Sequence, residues 1–95
     1  MKALASERYR KWTEHLRDRQ ALARINARIR RIVENETVVG DCKRLGEGLY
    51  ELRFDFGPGY RVYVSIEEDG LVLLLLAGGD KSSQQSDIDT AKELA

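Results

Sequence analysis

Charged and aromatic side chains alternate with apolar ones in the middle of the chain, on both sides of a Gly-Pro-Gly turn. Because successive side chains of a β-strand point to opposite faces, the polar ones share one face of a hairpin. That face carries Glu51, Arg53, Asp55, Arg61 and Tyr63. Arginines in such a set can bind a phosphate-bearing ligand, since the guanidinium fork matches phosphate geometry. The alternative is a solvated sheet face with mixed charges, which is common and which composition alone favours.

Two turns define this hairpin and the strand that follows it. In Gly57-Pro58-Gly59 the proline presets φ and the glycines accept positive φ, and Asp69-Gly70 is a hairpin signal between apolar runs. If residues 57–59 form a three-residue loop, they set the register of the first two strands. The predicted apolar pairs are Phe56–Tyr60, Phe54–Val62, Leu52–Val64 and Tyr50–Ile66, and the polar pairs are Asp55–Arg61, Arg53–Tyr63 and Glu51–Ser65.

Several common catalytic sites are excluded. The single Cys42 and the single His15 form no evident pair, and the chain has no Ser/His/Asp set, no zinc-ligand spacing and no Gly-x-Gly-x-x-Gly. The run Gly78–Ser82 is Gly-Gly-Asp-Lys-Ser, which lacks the Walker spacing, and the chain is too short for the βαβ unit that a phosphate loop requires. An NTPase is therefore excluded.

Length and composition predict one soluble domain. The 95 residues suffice for a single core. The longest apolar run, Leu71–Ala77, is too short to cross a bilayer, and no secretory signal is expected. A lone Cys42 suits a reducing compartment, so we expect a cytoplasmic protein. The net charge of zero conceals a split, because residues 1–45 carry 12 Lys/Arg against 6 Asp/Glu and residues 46–95 carry 4 against 10. The basic half suggests a surface for nucleic acid or an acidic partner.

Two helices are predicted before the hairpin. Residues 2–5 are either a short edge strand or a disordered terminus. Ser6 is a candidate N-cap of the first helix, and Asp18 is a candidate N-cap of a second helix that runs to about Val33. We expect the helices to form an antiparallel pair that covers the apolar side of the sheet. Their apolar stripes are Tyr9, Trp12 and Leu16, then Leu22, Ile25, Ile29 and Ile32, while Arg24, Arg28 and Arg31 share another face of the second helix.

The remaining segments are a loop, a buried strand and a short helix. Residues 34–48 contain four turn residues and read as a loop. The last strand, Leu71–Leu76, is apolar on both faces, as internal strands are. Ser82 or Ser83 then caps a terminal helix whose apolar positions are Ile88, Ala91 and Leu94.

Read together, these segments resemble a known family, the HigB-like addiction module killer proteins of the RelE/ParE toxin superfamily in type II toxin–antitoxin systems. The resemblance covers nearly the whole chain. Its most specific blocks are Gly57-Pro58-Gly59-Tyr60-Arg61 and Gly78-Gly79-Asp80-Lys81-Ser82, supported by Trp12, Leu16, Asp18, Arg28-Ile29, Gly40-Asp41, Lys43, Glu51-Leu52-Arg53, Val62-Tyr63 and Asp87-Ile88.

The resemblance implies an α+β fold: a short N-terminal edge strand, a two-helix hairpin, a three-stranded antiparallel sheet packed on the helices, and a short C-terminal helix. It also implies a metal-independent endoribonuclease, without a cofactor, that cuts messenger RNA on the ribosome. An antitoxin, commonly a helix-turn-helix protein encoded nearby, would neutralise it, and promoter DNA would be bound only through that antitoxin.

The same resemblance implies roles for seven residues. Arg61 matches the arginine that stabilises the phosphate, and Lys81 falls where relatives carry another cation. Glu51, Tyr63 and Asp87 are candidates for proton transfer; Glu51 stands where some relatives have lysine, and Asp87 about where they have a C-terminal tyrosine. The last two, Lys43 and Arg53, are candidates for substrate binding. Two alternatives remain open. One is a toxin-fold protein that is not a nuclease, either a ParE-like inhibitor of DNA gyrase or a non-catalytic toxin whose activity has decayed. The other is a protein without toxicity in which Arg53, Arg61 and Lys81 bind an acidic peptide.

Overall fold

A computed structural model describes all residues, 1–95, as a mixed sheet with helices on both faces. The strands are β1 (Lys2–Ala5), β2 (Cys42–Gly46), β3 (Leu49–Arg53), β4 (Arg61–Glu67) and β5 (Val72–Gly79), and the helices are α1 (Glu7–His15), α2 (Arg19–Asn35) and α3 (Gln84–Leu94). Short 3-10 turns follow β4 and β5 at Glu68–Gly70 and Lys81–Ser83.

The sheet has five strands in the order β1-β5-β4-β3-β2, which corrects the predicted three-stranded antiparallel sheet. The N-terminal edge strand is confirmed, and it runs parallel to β5, with Lys2 beside Val72. The second edge strand, β2, lies inside the segment predicted as a loop. It pairs antiparallel with β3, but its residues are mostly exposed, so it carries no hydrophobic pattern that would reveal it.

The predicted caps of α1 and α2 are confirmed, whereas Ser83 precedes α3 without making a capping hydrogen bond. The Ser6 hydroxyl accepts a hydrogen bond from the Tyr9 amide at 3.0 Å, and the Asp18 carboxylate accepts one from the Ala21 amide at 3.0 Å. These bonds satisfy donors that the first helical turn leaves unpaired. The expected antiparallel helix pair is corrected, because α1 lies along β5 and the buried residues of α2 join the core of the sheet.

The apolar face of the sheet was predicted correctly. Side chains from β3, β4 and β5 meet those of α1 and α2 in one cluster: Tyr9, Ala21, Ile25, Ile29, Ile32, Leu52, Phe54, Tyr60, Val62, Val64, Leu73 and Leu75. Trp12, Tyr50 and Ile66 are partly buried and pack against it. This cluster fixes the sheet against the two N-terminal helices.

The predicted register between β3 and β4 is wrong by two residues. Leu52 lies opposite Val62, and Arg53 lies opposite Arg61. The hairpin closes where the Phe54 amide donates to the Tyr60 carbonyl at 3.0 Å, so the connection is five residues long rather than three. Phe56 leaves the ladder, and its ring lies 6.0 Å from that of Tyr60. An even shift keeps every side chain on its predicted face while it changes every partner.

The opposite face is not a solvated sheet face, because α3 covers part of it. Leu49, Tyr63, Leu76, Ala77 and Ala91 form a second buried cluster there. The pairing of β4 with β5 slips between Tyr63 and Val64, and this bulge turns the adjacent Leu76 and Ala77 towards the same cluster. Glu51, Tyr63 and Ser65 on this face are buried, whereas Arg53 and Asp55 at its end remain accessible.

Candidate functional site

A cleft of about 460 Å³ opens beside the β3–β4 connection. It lies where β3 ends, β4 begins and the chain leaves β5, so the fold brings three separate segments together. Its lining contains three cations and two carboxylates. The lining residues are Asp41, Arg53, Phe54, Asp55, Gly57, Pro58, Gly59, Arg61 and Lys81. The excess of positive charge suits an anionic ligand.

Arg61 is the most buried cation of the cleft, with 9% of its surface exposed. Its Nη1 donates to the carbonyls of Gly59 at 3.1 Å and Tyr60 at 3.2 Å. Its Nε is buried and has no hydrogen-bond acceptor, since the nearest carboxylate oxygen, Glu51 Oε1, is 4.0 Å away. A buried guanidinium nitrogen without a partner is costly unless a ligand satisfies it.

Glu51 lies beneath the arginines and is fully buried. Its Oε1 accepts from Arg53 Nε at 3.0 Å, and its Oε2 accepts from Gln84 Nε2 at 2.9 Å. Burial acts to raise the pKa of Glu51, but the hydrogen bonds from Gln84 and Arg53 outweigh it and hold that pKa below its usual value. The carboxylate is therefore ionised at neutral pH and anchors Arg53 from below.

Tyr63 and Asp87 lie on the same face but do not line the cleft. Tyr63 is fully buried and its hydroxyl has no hydrogen-bond partner; burial, reinforced by the negative charge of Glu51, raises its pKa. Asp87, on α3, accepts a hydrogen bond from Ser83 Oγ at 2.5 Å. Its carboxylate occupies the space where a side chain at Gly79 would lie, which explains the glycine at the end of β5.

The two candidate lysines are placed differently. Lys81 is exposed and lines the cleft, and its methylene chain lies against Gly59 of the hairpin connection. Lys43 is exposed on the edge strand β2, opposite Glu51 in the register, and is not among the residues that line the cleft. The structure thus brings Arg53, Arg61 and Lys81 together, and leaves Lys43 at the sheet edge.

The roles of two residues that hold this site were not predicted from the sequence. One is Gln84, which binds Glu51 across 33 positions of sequence. The other is Arg28, which was predicted in an arginine row on α2 and contributed to the family resemblance, but without a role at this site. Arg28 is 7% exposed, lies 4.9 Å over the Phe54 ring, and donates to the carbonyls of Val39 at 2.7 Å and Arg53 at 2.6 Å. A third hydrogen bond runs to the carbonyl of Asp41, so Arg28 connects two residues of the cleft lining, Arg53 and Asp41, to α2.

Two further features of the structure concern metal ions and membranes. No group of three His, Cys, Asp or Glu side chains is arranged to hold a metal ion. None of the helices combines the length and the apolar character needed to cross a membrane.

Comparison with known proteins identifies one close relative and a shared fold. No protein-family model matches the chain. An uncharacterized protein of Haemophilus influenzae is 46% identical over 84 residues, which cover 88% of this chain and 82% of that protein.

Two solved structures share the fold. The Escherichia coli toxin RelE in the free state superposes with a TM-score of 0.76 at 15% identity, covering 97% of this chain and 94% of that one. The chain matched in the intact E. coli RelBE toxin–antitoxin complex gives a TM-score of 0.68, also at 15% identity, covering 82% and 93%. At this identity the likeness establishes the architecture alone. The chain thus belongs to the family of the Haemophilus influenzae protein, and its fold is the RelE fold.

Proposed function

We propose that this protein is the toxin of a HigB-like toxin–antitoxin pair and that it cuts messenger RNA on the ribosome. The observation that carries the proposal is the cationic cleft, in which Arg61 is buried with an unpartnered Nε beside Arg53 and Lys81. The likeness to a toxin supports the biological role. The cleft supports the chemistry, because cations in a partly desolvated site stabilise negative charge on a phosphate.

The reaction is an internal transesterification at the RNA backbone. The ribose 2′-oxygen attacks the adjacent phosphorus, the bond from phosphorus to the 5′-oxygen breaks, and the products are a 2′,3′-cyclic phosphate and a 5′-hydroxyl. A base takes the proton of the 2′-hydroxyl and an acid returns one to the leaving oxygen. Arg61 and Arg53 stabilise the pentavalent phosphorane, and Lys81 binds a non-bridging oxygen.

Proton transfer requires a group that touches the substrate. Glu51, Tyr63 and Asp87 are buried on the face beneath the cleft, so Glu51 serves the arginines as a positioning residue and direct roles for the other two remain predictions. The carboxylates that line the cleft are Asp41 and Asp55, both exposed. They are the acidic side chains with access to a bound ribose, and we propose them for proton transfer.

The partners follow from the same proposal. The E. coli neighbour was solved in a toxin–antitoxin complex, which supports an antitoxin as the partner of this chain. The antitoxin would be a helix-turn-helix protein that covers or distorts the cleft and that alone contacts promoter DNA. The substrate would be messenger RNA on the ribosome, and the protein would act in the cytoplasm without a cofactor.

The test compares induced expression of the wild type, Arg61→Ala and Arg30→Ala in a bacterial host. Arg30 is an exposed arginine on α2, outside the cleft lining, and serves as the matched control. We expect new 5′ ends within translated codons for the wild type and Arg30→Ala, and none for Arg61→Ala. Circular dichroism of each purified protein verifies the fold. Intact messages in cells that express folded wild type would overturn the nuclease proposal.

A second candidate function is inhibition of DNA gyrase, or binding of an acidic peptide without catalysis. The burial of Glu51, Tyr63 and Asp87 favours it, because none of these three predicted proton-transfer groups lines the cleft. Growth arrest with intact messages and altered plasmid supercoiling would identify gyrase as the target. Absence of arrest from a folded protein would leave peptide binding.

A further inference from the structure

We propose that Gln84 is a positioning residue of the cleft, which acts through Glu51 to hold Arg53 and Arg61 in place for a bound phosphate. In this role Gln84 contacts Glu51 rather than the substrate. The expected effect of Gln84 on RNA cleavage rests on the proposed function, whereas its expected effect on Glu51 rests on the geometry alone.

The two oxygens of the Glu51 carboxylate have separate partners. Oε2 accepts from Gln84 Nε2 at 2.9 Å, whereas Oε1 accepts from Arg53 Nε at 3.0 Å and lies 4.0 Å from Arg61 Nε. The hydrogen bond at Oε2 fixes the rotation of the carboxylate, so that Oε1 faces both arginines. Without it the carboxylate is held through Oε1 alone, so the arginines face a less rigid anchor.

Burial makes this hydrogen bond consequential. Glu51 is fully buried, so its carboxylate depends on donors from the protein, and Gln84 is the side chain that donates to Oε2. Charged and titratable groups approach it from every neighbouring element. They are Arg53 on β3, Arg61 and Tyr63 on β4, and Lys43 opposite on β2, while the charge of Asp87 on α3 acts on the neighbouring Tyr63. The hydrogen bond from Gln84 lowers the pKa of Glu51, and its loss raises that pKa.

The test uses three substitutions on the first turns of α3. Gln84→Met keeps the length of the side chain and removes the donor, and Gln84→Asn keeps the amide on a side chain one methylene shorter. Gln85→Met is the matched control, since Gln85 is exposed and its amide donates to Asp89 Oδ1 at 3.0 Å within the same helix. Carbon-13 NMR of the Glu51 carboxyl follows its titration, and message cleavage on purified ribosomes follows activity against pH.

We expect both Gln84 variants to shift the Glu51 titration upward. The acidic limb of the plot of cleavage rate against pH should move to higher pH together with this titration. We also expect kcat at neutral pH to fall about tenfold, which corresponds to a loss of about 1.4 kcal/mol of transition-state stabilisation. Gln85→Met should match the wild type in both measurements. A merely structural role would lower activity at every pH without moving the titration of Glu51.

Two results would separate failure of this inference from failure of the proposed function. An unchanged Glu51 titration in a folded Gln84 variant overturns the positioning role, whatever the protein cleaves. Absence of cleavage by the wild type overturns the ribonuclease, while the carboxyl titration still decides the positioning role. If Gln84→Met does not fold, Gln84→Asn supplies the titration.

Discussion

Arg53 Nε lies 3.0 Å from Glu51 Oε1, and the carboxylate in this ion pair is completely buried while 34% of the arginine side chain is exposed. The pair therefore spans the boundary between the interior and the cleft. Gln84 donates a hydrogen bond to the buried carboxylate of Glu51, and the partly exposed Arg53 lines the cleft. A cation anchored in this way is preorganised for an anionic ligand, because little of its conformational freedom remains to be lost on binding.

Glu51→Gln should destabilise the fold and weaken the cleft together. The substitution preserves volume but removes the charge that Arg53 and Arg61 face. We expect the free energy of unfolding to fall by about 1–3 kcal/mol, as for other hydrogen bonds to charged groups. Urea denaturation measures this change, and Glu47→Gln, at an exposed site before β3, serves as the control. Equal stability of the wild type and Glu51→Gln would contradict the anchoring role.

The same carboxylate makes stability depend on pH. Its pKa in the fold is lowered from 4.5, so the stability it contributes is present above that value and is lost as the pH falls through the folded pKa. We expect the wild type to lose more stability than Glu51→Gln when the pH is lowered from about 5 to about 3. Thermal melts of both proteins across this range provide the measurement, and parallel curves would show that Glu51 does not contribute.

Side-chain alternation predicted the faces of the hairpin but not its pairing. Which face a side chain takes depends only on the period of the strand, and Leu52 and Arg53 were assigned correctly. Which partner it meets depends on the connection. Phe56 can pair across a three-residue turn or fold back onto the core, and in the structure its ring lies 5.8 Å from that of Phe54 and 4.9 Å from the Arg24 guanidinium of α2. Burial of an aromatic ring is a tertiary effect that no local pattern records.

The cleft was predictable only in part for a similar reason. The cations Arg53 and Arg61 could be placed on one face by alternation, and Lys81 was placed with them by resemblance. Gln84 and the structural role of Arg28 were not predicted, because each side chain acts through contacts with residues far away in sequence. The edge strand β2 escaped prediction because a short, exposed strand buries too little to leave a hydrophobic pattern.

Arg28→Met should lower the stability of the protein, because Arg28 connects the cleft lining to α2. The guanidinium donates to three carbonyls, those of Val39, Arg53 and Asp41, and removing it leaves buried acceptors unpaired. We expect a loss of about 3 kcal/mol or more in the free energy of unfolding. Arg31→Met is the matched control, because Arg31 is exposed on the same helix. Similar denaturation midpoints for the two variants would show that Arg28 is not a structural clamp.

Gly79→Ala should be poorly tolerated, whereas Gly46→Ala should be harmless. A methyl group at position 79 would overlap the Asp87 carboxylate and crowd Ser83, while nothing lies within 4 Å of the corresponding position at Gly46. We expect Gly79→Ala to lower the free energy of unfolding by about 1–3 kcal/mol through overpacking. Differential scanning calorimetry of the two variants tests the pair. Equal melting temperatures would mean that α3 does not pack on the end of β5 as described.

The two candidate lysines provide a direct test of where the substrate binds. Lys81 lines the cleft and Lys43 does not, although both are exposed and both fall in the resemblance to the toxin family. Replacing either with methionine removes one charge from the surface, so a general loss of attraction for RNA would affect the variants equally. A cation that contacts the reacting phosphate has a larger effect, because it stabilises charge that develops in the transition state.

We expect Lys81→Met to lower kcat for message cleavage by about tenfold or more, and Lys43→Met to act mainly on KM. The reverse pattern, with Lys43→Met the more damaging to kcat, would move the reacting phosphate from the cleft to the β2 edge of the sheet.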